Sequence, residues 1–263
     1  MLPLLAKNRP ATVQKDTVYY MIERMLSRKQ SYRVKIYGKP TKGVVLFFCP
    51  FGVRRWQFLL PHLPISSLVN AGFEVICYDF NTFKVTTSPS ESRRILHDVL
   101  QDVQHKVDDS KNHGIGNISV FGASLGSLFA AYCAANITDV NKVILNLTYG
   151  DIVDHILDMP GMLFLPKRRL NNYVALGGGE EKLRKFFAGY SPLDNISALR
   201  KKKILLYLSK KDKVLQYTNS VRLKKALEVS ANLQYIENRT FGHYWAATYN
   251  HFNRKVYIEF LLS

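Results

Sequence analysis

Residues 118–126, Ile-Ser-Val-Phe-Gly-Ala-Ser-Leu-Gly, set a β-branched and aromatic run directly against Gly122-x-Ser124-x-Gly126. Upstream, residues 117–121 read as a buried strand. Downstream, Leu125, Leu128, Phe129, Tyr132 and Cys133 fall at i, i+3, i+4, i+7 and i+8, one apolar helical face. A strand that becomes a helix within so few residues needs a sharp turn, with the serine at its apex in a strained backbone conformation. Glycine is expected at 122 and 126 for a steric reason: a Cβ at either place would collide with the neighbouring helix or strand. The helix behind the turn adds a positive N-terminal dipole and free N–H groups beside the Ser124 hydroxyl. The pattern points to covalent chemistry at a serine oxygen.

The rest of the chain reads as a frame for that turn. From Tyr32 onward strands and helices alternate, which argues for a parallel sheet with helices on both faces. Strands are expected at 32–37, 44–48, 74–78, 117–121, 142–147, 203–208 and 233–237. The unbroken apolar runs Val44-Val45-Leu46-Phe47-Phe48 and Ile204-Leu205-Leu206-Tyr207-Leu208 suit strands covered on both sides. Ser88-Pro89-Ser90-Glu91 is a capping box with proline at the first helical position, and Leu96, Leu100, Val103 and Val107 share one face of the helix it opens. A last helix from about Tyr244 is expected to carry Trp245, Tyr249, Phe252, Val256 and Phe260 on one stripe. Residues 151–190 interrupt the alternation with Met162-Leu163-Phe164-Leu165-Pro166, a triple glycine at 177–179 and a helical pattern over 180–190. An insertion of that length is expected to act as a compact cap over the site. Residues 1–30 carry an amphipathic basic helical pattern, read as a helix packed on the domain, with a membrane-surface or partner helix as the alternative. The expected division is therefore an N-terminal segment 1–30, a core of 31–150 and 191–263, and a cap of 151–190.

A serine hydroxyl needs a general base within hydrogen-bond reach and a third group to orient that base. Asp212 lies just past the strong strand over 204–208. His243, in Thr240-Phe241-Gly242-His243-Tyr244, lies between the last strand and the last helix. Both fall on loops at the carboxyl edge of the sheet, the edge that presents Ser124. Asp151, after the strand ending near Leu147, is the competing acid. An oxyanion would be met by the N–H of Leu125 and by a second donor from Cys49-Pro50-Phe51-Gly52-Val53, where Phe51 is the expected donor and Gly52 allows close backbone approach. Phe51, Trp56, Met159, Met162 and Phe164 are placed to line an apolar acyl pocket.

Taken together, Gly122-Ala123-Ser124-Leu125-Gly126, the Asp212 loop with Val214 and the Phe241-Gly242-His243 segment resemble the α/β-hydrolase superfamily over about residues 32–262. Tyr190-Ser191-Pro192-Leu193-Asp194 also resembles the post-cap segment of monoacylglycerol-lipase-like and serine-aminopeptidase-like members. The resemblance implies a mostly parallel sheet of seven or eight strands, with a short cap after the sixth. It also implies a serine esterase or lipase-like activity. Gly52-Val53-Arg54-Arg55 is similar to the oxyanion loop of the bacterial-luminescence acyl-transfer thioesterase, whose elbow lacks the second glycine found here at 126. The expected function is hydrolysis of a carboxylic ester or thioester by Ser124, His243 and Asp212. The alternatives are a thioesterase or acyltransferase acting on an anionic acyl carrier, and a silent basic binding module of the same fold.

Charge adds a second theme. With 37 Lys and Arg against 20 Asp and Glu, the net charge is +17, which favours polyanionic partners without selecting a fold. Arg54-Arg55, Lys167-Arg168-Arg169 and Lys210-Lys211/Lys213 are expected to form a positive rim suited to an anionic membrane surface or acidic carrier. No aromatic-basic RNA signature appears, which argues against nucleic acid, and no metal or cofactor pattern stands out. Three cysteines, each in an apolar stretch, fit a reducing compartment such as the cytoplasm. Leu2-Pro3-Leu4-Leu5-Ala6 is too short for a signal core, and no apolar run reaches the roughly 20 residues of a membrane span.

Overall fold

The structure is a computed structural model that describes residues 31–50, 59–81, 85–158, 167–229 and 232–263. The N-terminal helical expectation over 1–30 lies outside these residues. Seven strands form one sheet: β1 (Tyr32–Tyr37), β2 (Gly43–Phe48), β3 (Phe73–Phe80), β4 (Ile118–Ala123), β5 (Lys142–Asn146), β6 (Lys203–Ser209) and β7 (Leu233–Asn238). Their spatial order is β1-β3-β2-β4-β5-β6-β7. Only β1 runs antiparallel, pairing Tyr32 with Phe80 and Tyr37 with Val75; the other five pairings are parallel. The insertion after residue 150 follows β5, the fifth of the seven strands described and the place of the sixth in an eight-stranded count.

Alternation along each strand builds two cores. In β2, Val44, Leu46 and Phe48 pack on one side, Val45 and Phe47 on the other, and all five are buried. This is why the sequence shows an unbroken apolar run instead of an alternating one. The first side is covered by α2 (Pro89–Asn112) and α3 (Gly126–Asn136), the second by α1 (Leu59–Asn70) and by Tyr257, Phe260 and Leu261 of α10 (Arg254–Leu262). Each such large side chain contributes about 1.5–3 kcal/mol on leaving water. Ser88 caps α2 as expected: it is extended, with φ −156°, and its hydroxyl accepts the Glu91 N–H at 3.2 Å.

Between β5 and β6 lie α4 (Ile152–Asp158), α5 (Lys167–Leu176), α6 (Glu180–Phe186) and α7 (Ile196–Leu199). The last of the expected cap helices ends four residues early, at Phe186. Asp154 of α4 accepts Arg184 of α6 at 2.7 Å and also pairs with Arg222 of α8 (Tyr217–Leu227). Those ion pairs tie the insertion to the core.

The final helix departs from expectation. It is broken at Asn253 into α9 (His243–Phe252) and α10, and Trp245, Tyr249 and Phe252 face solvent instead of the core. His243 sets the phase. With its ring buried, Ala246 and Asn250 follow inward at i+3 and i+7, whereas Trp245, roughly 200° further round, turns outward. Of the expected stripe, Phe260 alone is fully buried and Val256 is half-buried.

Candidate active site

The turn after β4 is as tight as its glycines suggest. A Cβ on Gly122 would lie 2.5 Å from the Ser127 Cα, and one on Gly126 would lie 2.4 Å from the Phe48 carbonyl oxygen. Ser124 takes φ +52°, in the left-handed region that Leu147 also adopts. Its N–H donates to the Asn146 carbonyl at 2.8 Å, and its own carbonyl accepts the Ser127 N–H at 2.9 Å. The strained conformation is thus pinned to β5 on one side and to the first turn of α3 on the other. Leu125 sits at the head of α3, so its N–H belongs to the helix end that carries positive potential.

Two further strand-to-helix connections meet this turn. Ser124 Oγ lies 2.9 Å from His243 Nε2, and His243 Nδ1 lies 2.7 Å from Asp212 Oδ2. The other Asp212 oxygen accepts the N–H groups of Val214 and Leu215, each at 2.8 Å. Both the His243 and the Asp212 side chains are about 95% buried. Burial opposes ionisation of Asp212, but the hydrogen bond and charge of His243, with the Leu215 and Val214 N–H groups, outweigh it and hold the carboxyl below its ordinary value. The carboxylate therefore stays charged and fixes the imidazole orientation. Such an arrangement can take a proton from Ser124 and carry the resulting imidazolium.

Asp151, the competing acid, is used otherwise. Its Oδ1 accepts the N–H groups of Val153 and Asp154 at 2.8 Å each, capping α4, and Arg184 lies 3.7 Å away. The structure brings Asp212, and not Asp151, to His243. Phe51, Gly52, Trp56, Met159, Met162 and Phe164 lie outside the described residues.

An apolar cavity opens beside Leu125. Leu96, Phe129, Ile152, Ile156 and Leu170 are among the residues of its wall, with Thr86, Ser92 and Arg169 among the polar ones. The sequence reading missed it, since its wall gathers residues from the β3–α2 connection, α2, α3, α4 and α5. His155 also lines it, stacked on Tyr149 with ring centroids 4.4 Å apart and planes 11° from parallel. Burial and the nearby His243 press the His155 pKa down to about 3, so the ring is neutral. Neither its Nε2 nor the Tyr149 hydroxyl has a hydrogen-bond partner among the described residues. An internal turn after an ordinary strand gave no pattern from which this pair stood out.

The cationic rim is partly present. Lys210, Lys211, Lys213, Lys167 and Arg168 are exposed, but Lys210 lies 3.5 Å from Glu237, and Arg169 is half-buried with its Nε donating to the Thr86 carbonyl. Arg54 and Arg55 lie outside the described residues. Cys49, Cys77 and Cys133 are buried and unbridged. No metal-binding cluster and no helix long and apolar enough to cross a membrane occurs among the described residues.

No protein-family model and no curated protein sequence matches the chain. Solved structures do. An esterase of Pyrococcus furiosus superposes with a TM-score of 0.58 at 12% identity, over 98% of this chain and 97% of its own. A lipase in its open form gives 0.59 at 16% identity, over 88% and 93%. A structure from work on carboxylesterases of the thaumarchaeon Nitrososphaera gargenis gives 0.54 at 16%, again over 88% and 93%. With the strand order and the turn after β4, these likenesses define the class: the chain has the α/β-hydrolase fold.

Proposed function

We propose that the protein is a serine hydrolase that cleaves a carboxylic ester or thioester with an apolar acyl group. One observation carries the reading: Ser124, His243 and Asp212 form a continuous hydrogen-bonded relay of 2.9 and 2.7 Å whose serine end adjoins an apolar cavity. Ser124 Oγ attacks the carbonyl carbon as His243 Nε2 takes its proton, and Asp212 stabilises the imidazolium. The tetrahedral oxyanion is met by the Leu125 N–H at the head of α3, with Phe51 as the second donor. The imidazolium then protonates the departing alcohol or thiol, leaving an acyl-Ser124 ester. His243 next draws a proton from water, which attacks the ester, releases the acid and restores Ser124. The similar structures include an esterase and a lipase, which agrees with this chemistry.

On this reading residues 151–190 are a cap, because α4 and α5 contribute Ile152, Ile156, Leu170 and Tyr173 to the cavity wall. The acyl chain occupies that cavity. A fluorophosphonate probe should label the native protein in a gel and leave Ser124→Ala unlabelled. Equal labelling of the two would remove the proposal.

A further inference from the structure

Large aromatic side chains stand in solvent along the helix that begins at His243. Trp245 is 72% exposed, Phe252 62% and Tyr249 50%. Their spacing, i, i+4 and i+7, places them on one side of α9. Tyr244 and Phe241 are exposed beside them, and the Phe241 ring lies 5.6 Å from that of Tyr249. Single exposed apolar residues are ordinary, but a continuous aromatic stripe costs hydration free energy and calls for a partner.

The stripe is framed mainly by positive charge. Arg239 precedes it and Arg254 and Lys255 follow it, all exposed; Glu237 lies 3.5 Å from Arg239 and Glu259 3.8 Å from Lys255, and no Asp or Glu occurs between those two acids. Lys211 and Lys213 add to the frame from the next loop, which backs onto Gly242: a Cβ there would lie 3.5 Å from the Lys211 carbonyl oxygen.

We propose that this aromatic and cationic face docks on an anionic lipid surface. Tryptophan and tyrosine, apolar rings with a polar edge, settle where acyl chains meet headgroups. A helix lying in that plane buries its aromatic side, and each flanking Lys or Arg is attracted to an acidic leaflet. A second copy of the chain suits the face poorly. Pairing would set two cationic frames against each other on molecules that each carry +17. Docking places the His243 end of α9 at the lipid boundary, where apolar acyl substrates collect. That functional consequence rests on the proposed hydrolase reading, whereas docking itself does not.

The test uses the full chain with vesicles of phosphatidylcholine alone or with about 30% phosphatidylglycerol. The protein should sediment with the acidic vesicles and stay in solution with the neutral ones. Of the two tryptophans in the chain, Trp56→Phe leaves Trp245 as reporter, and its emission should shift to the blue on binding. Trp245→Ser/Phe252→Ser should lower partitioning at least tenfold while turnover of a water-soluble short ester stays at the parent value. Arg254→Glu/Lys255→Glu should weaken binding as a second, independent variant. Ser124→Ala should bind vesicles as the parent does, so loss of hydrolysis and loss of docking are read separately. No sedimentation with acidic vesicles, or equal sedimentation of the Trp245/Phe252 variant, would overturn the proposal. So would a dimer that this double variant dissolves, since the face would then belong to a second copy.

Discussion

Ser124 has a left-handed backbone, φ +52°, that L-residues avoid and glycine adopts freely. Stability and reactivity are therefore opposed at this position. Ser124→Gly should be more stable in urea unfolding than Ser124→Ala by about 1 kcal/mol, and both should be inactive. Asp212 raises the complementary question of orientation. Asp212→Asn keeps the shape but disturbs the tautomer of His243, and it should lower kcat about 10⁴-fold on a chromogenic ester. His155 provides a pH test. Its folded pKa is depressed to about 3 from 6.5, so between those values the unfolded chain holds a proton that the folded chain excludes. Stability is then lost as pH falls below 6.5, by up to about 1.4 kcal/mol per pH unit from this group. Asp212, with a folded pKa below its ordinary value, contributes stability above the carboxylate range and loses it only at lower pH. Denaturation curves from pH 7 to 4.5 should therefore decline less steeply for His155→Phe, which leaves an aromatic ring beside Tyr149.

At the level of elements, the strands were the most legible part of the sequence. Runs such as Val44–Phe48 are apolar without interruption because the strand is covered on both faces, whereas the edge strands β1 and β7 are half-buried and interrupted by polar residues; all seven lie within about two residues of their expected ends. The cap on α2 was legible for a similar reason, since Ser88 and Glu91 act within four residues of each other. Ser88→Ala should cost about 1 kcal/mol in urea unfolding. The last helix was misread because periodicity fixes spacing and not phase. Trp245, Tyr249 and Phe252 look like a buried stripe until His243, held against Asp212, decides which side of α9 turns inward. Asp151 and Asp212 both follow strand ends, so the sequence leaves either open as the partner of His243; the hydrogen bond, at 2.7 Å, is made by Asp212.

The whole molecule combines a dense two-sided core with an open apolar cavity, and only the first was written locally in the chain. The cavity wall draws on residues from Val85 to Tyr173, close only after folding. If the acyl group lies there, kcat/KM on a series of straight-chain esters should rise by up to about fourfold per methylene until the space is filled. Ile156→Trp, which projects bulk into the cavity, should shift the preferred chain several carbons shorter with little change on the acetate.

The relay also has a consequence for the order in which the molecule becomes competent. Its hydroxyl and imidazole are 119 positions apart along the chain, and the imidazole comes from the connection that follows the final strand. A ribosome-bound chain could build the central strands and the serine turn early and still be chemically inert. Competence would arrive abruptly, when β7 joins the edge of β6 and α9 swings its first residue into place. Active-site labelling of arrested nascent chains should accordingly remain at background until residues beyond 243 have cleared the exit tunnel, then rise in a single step.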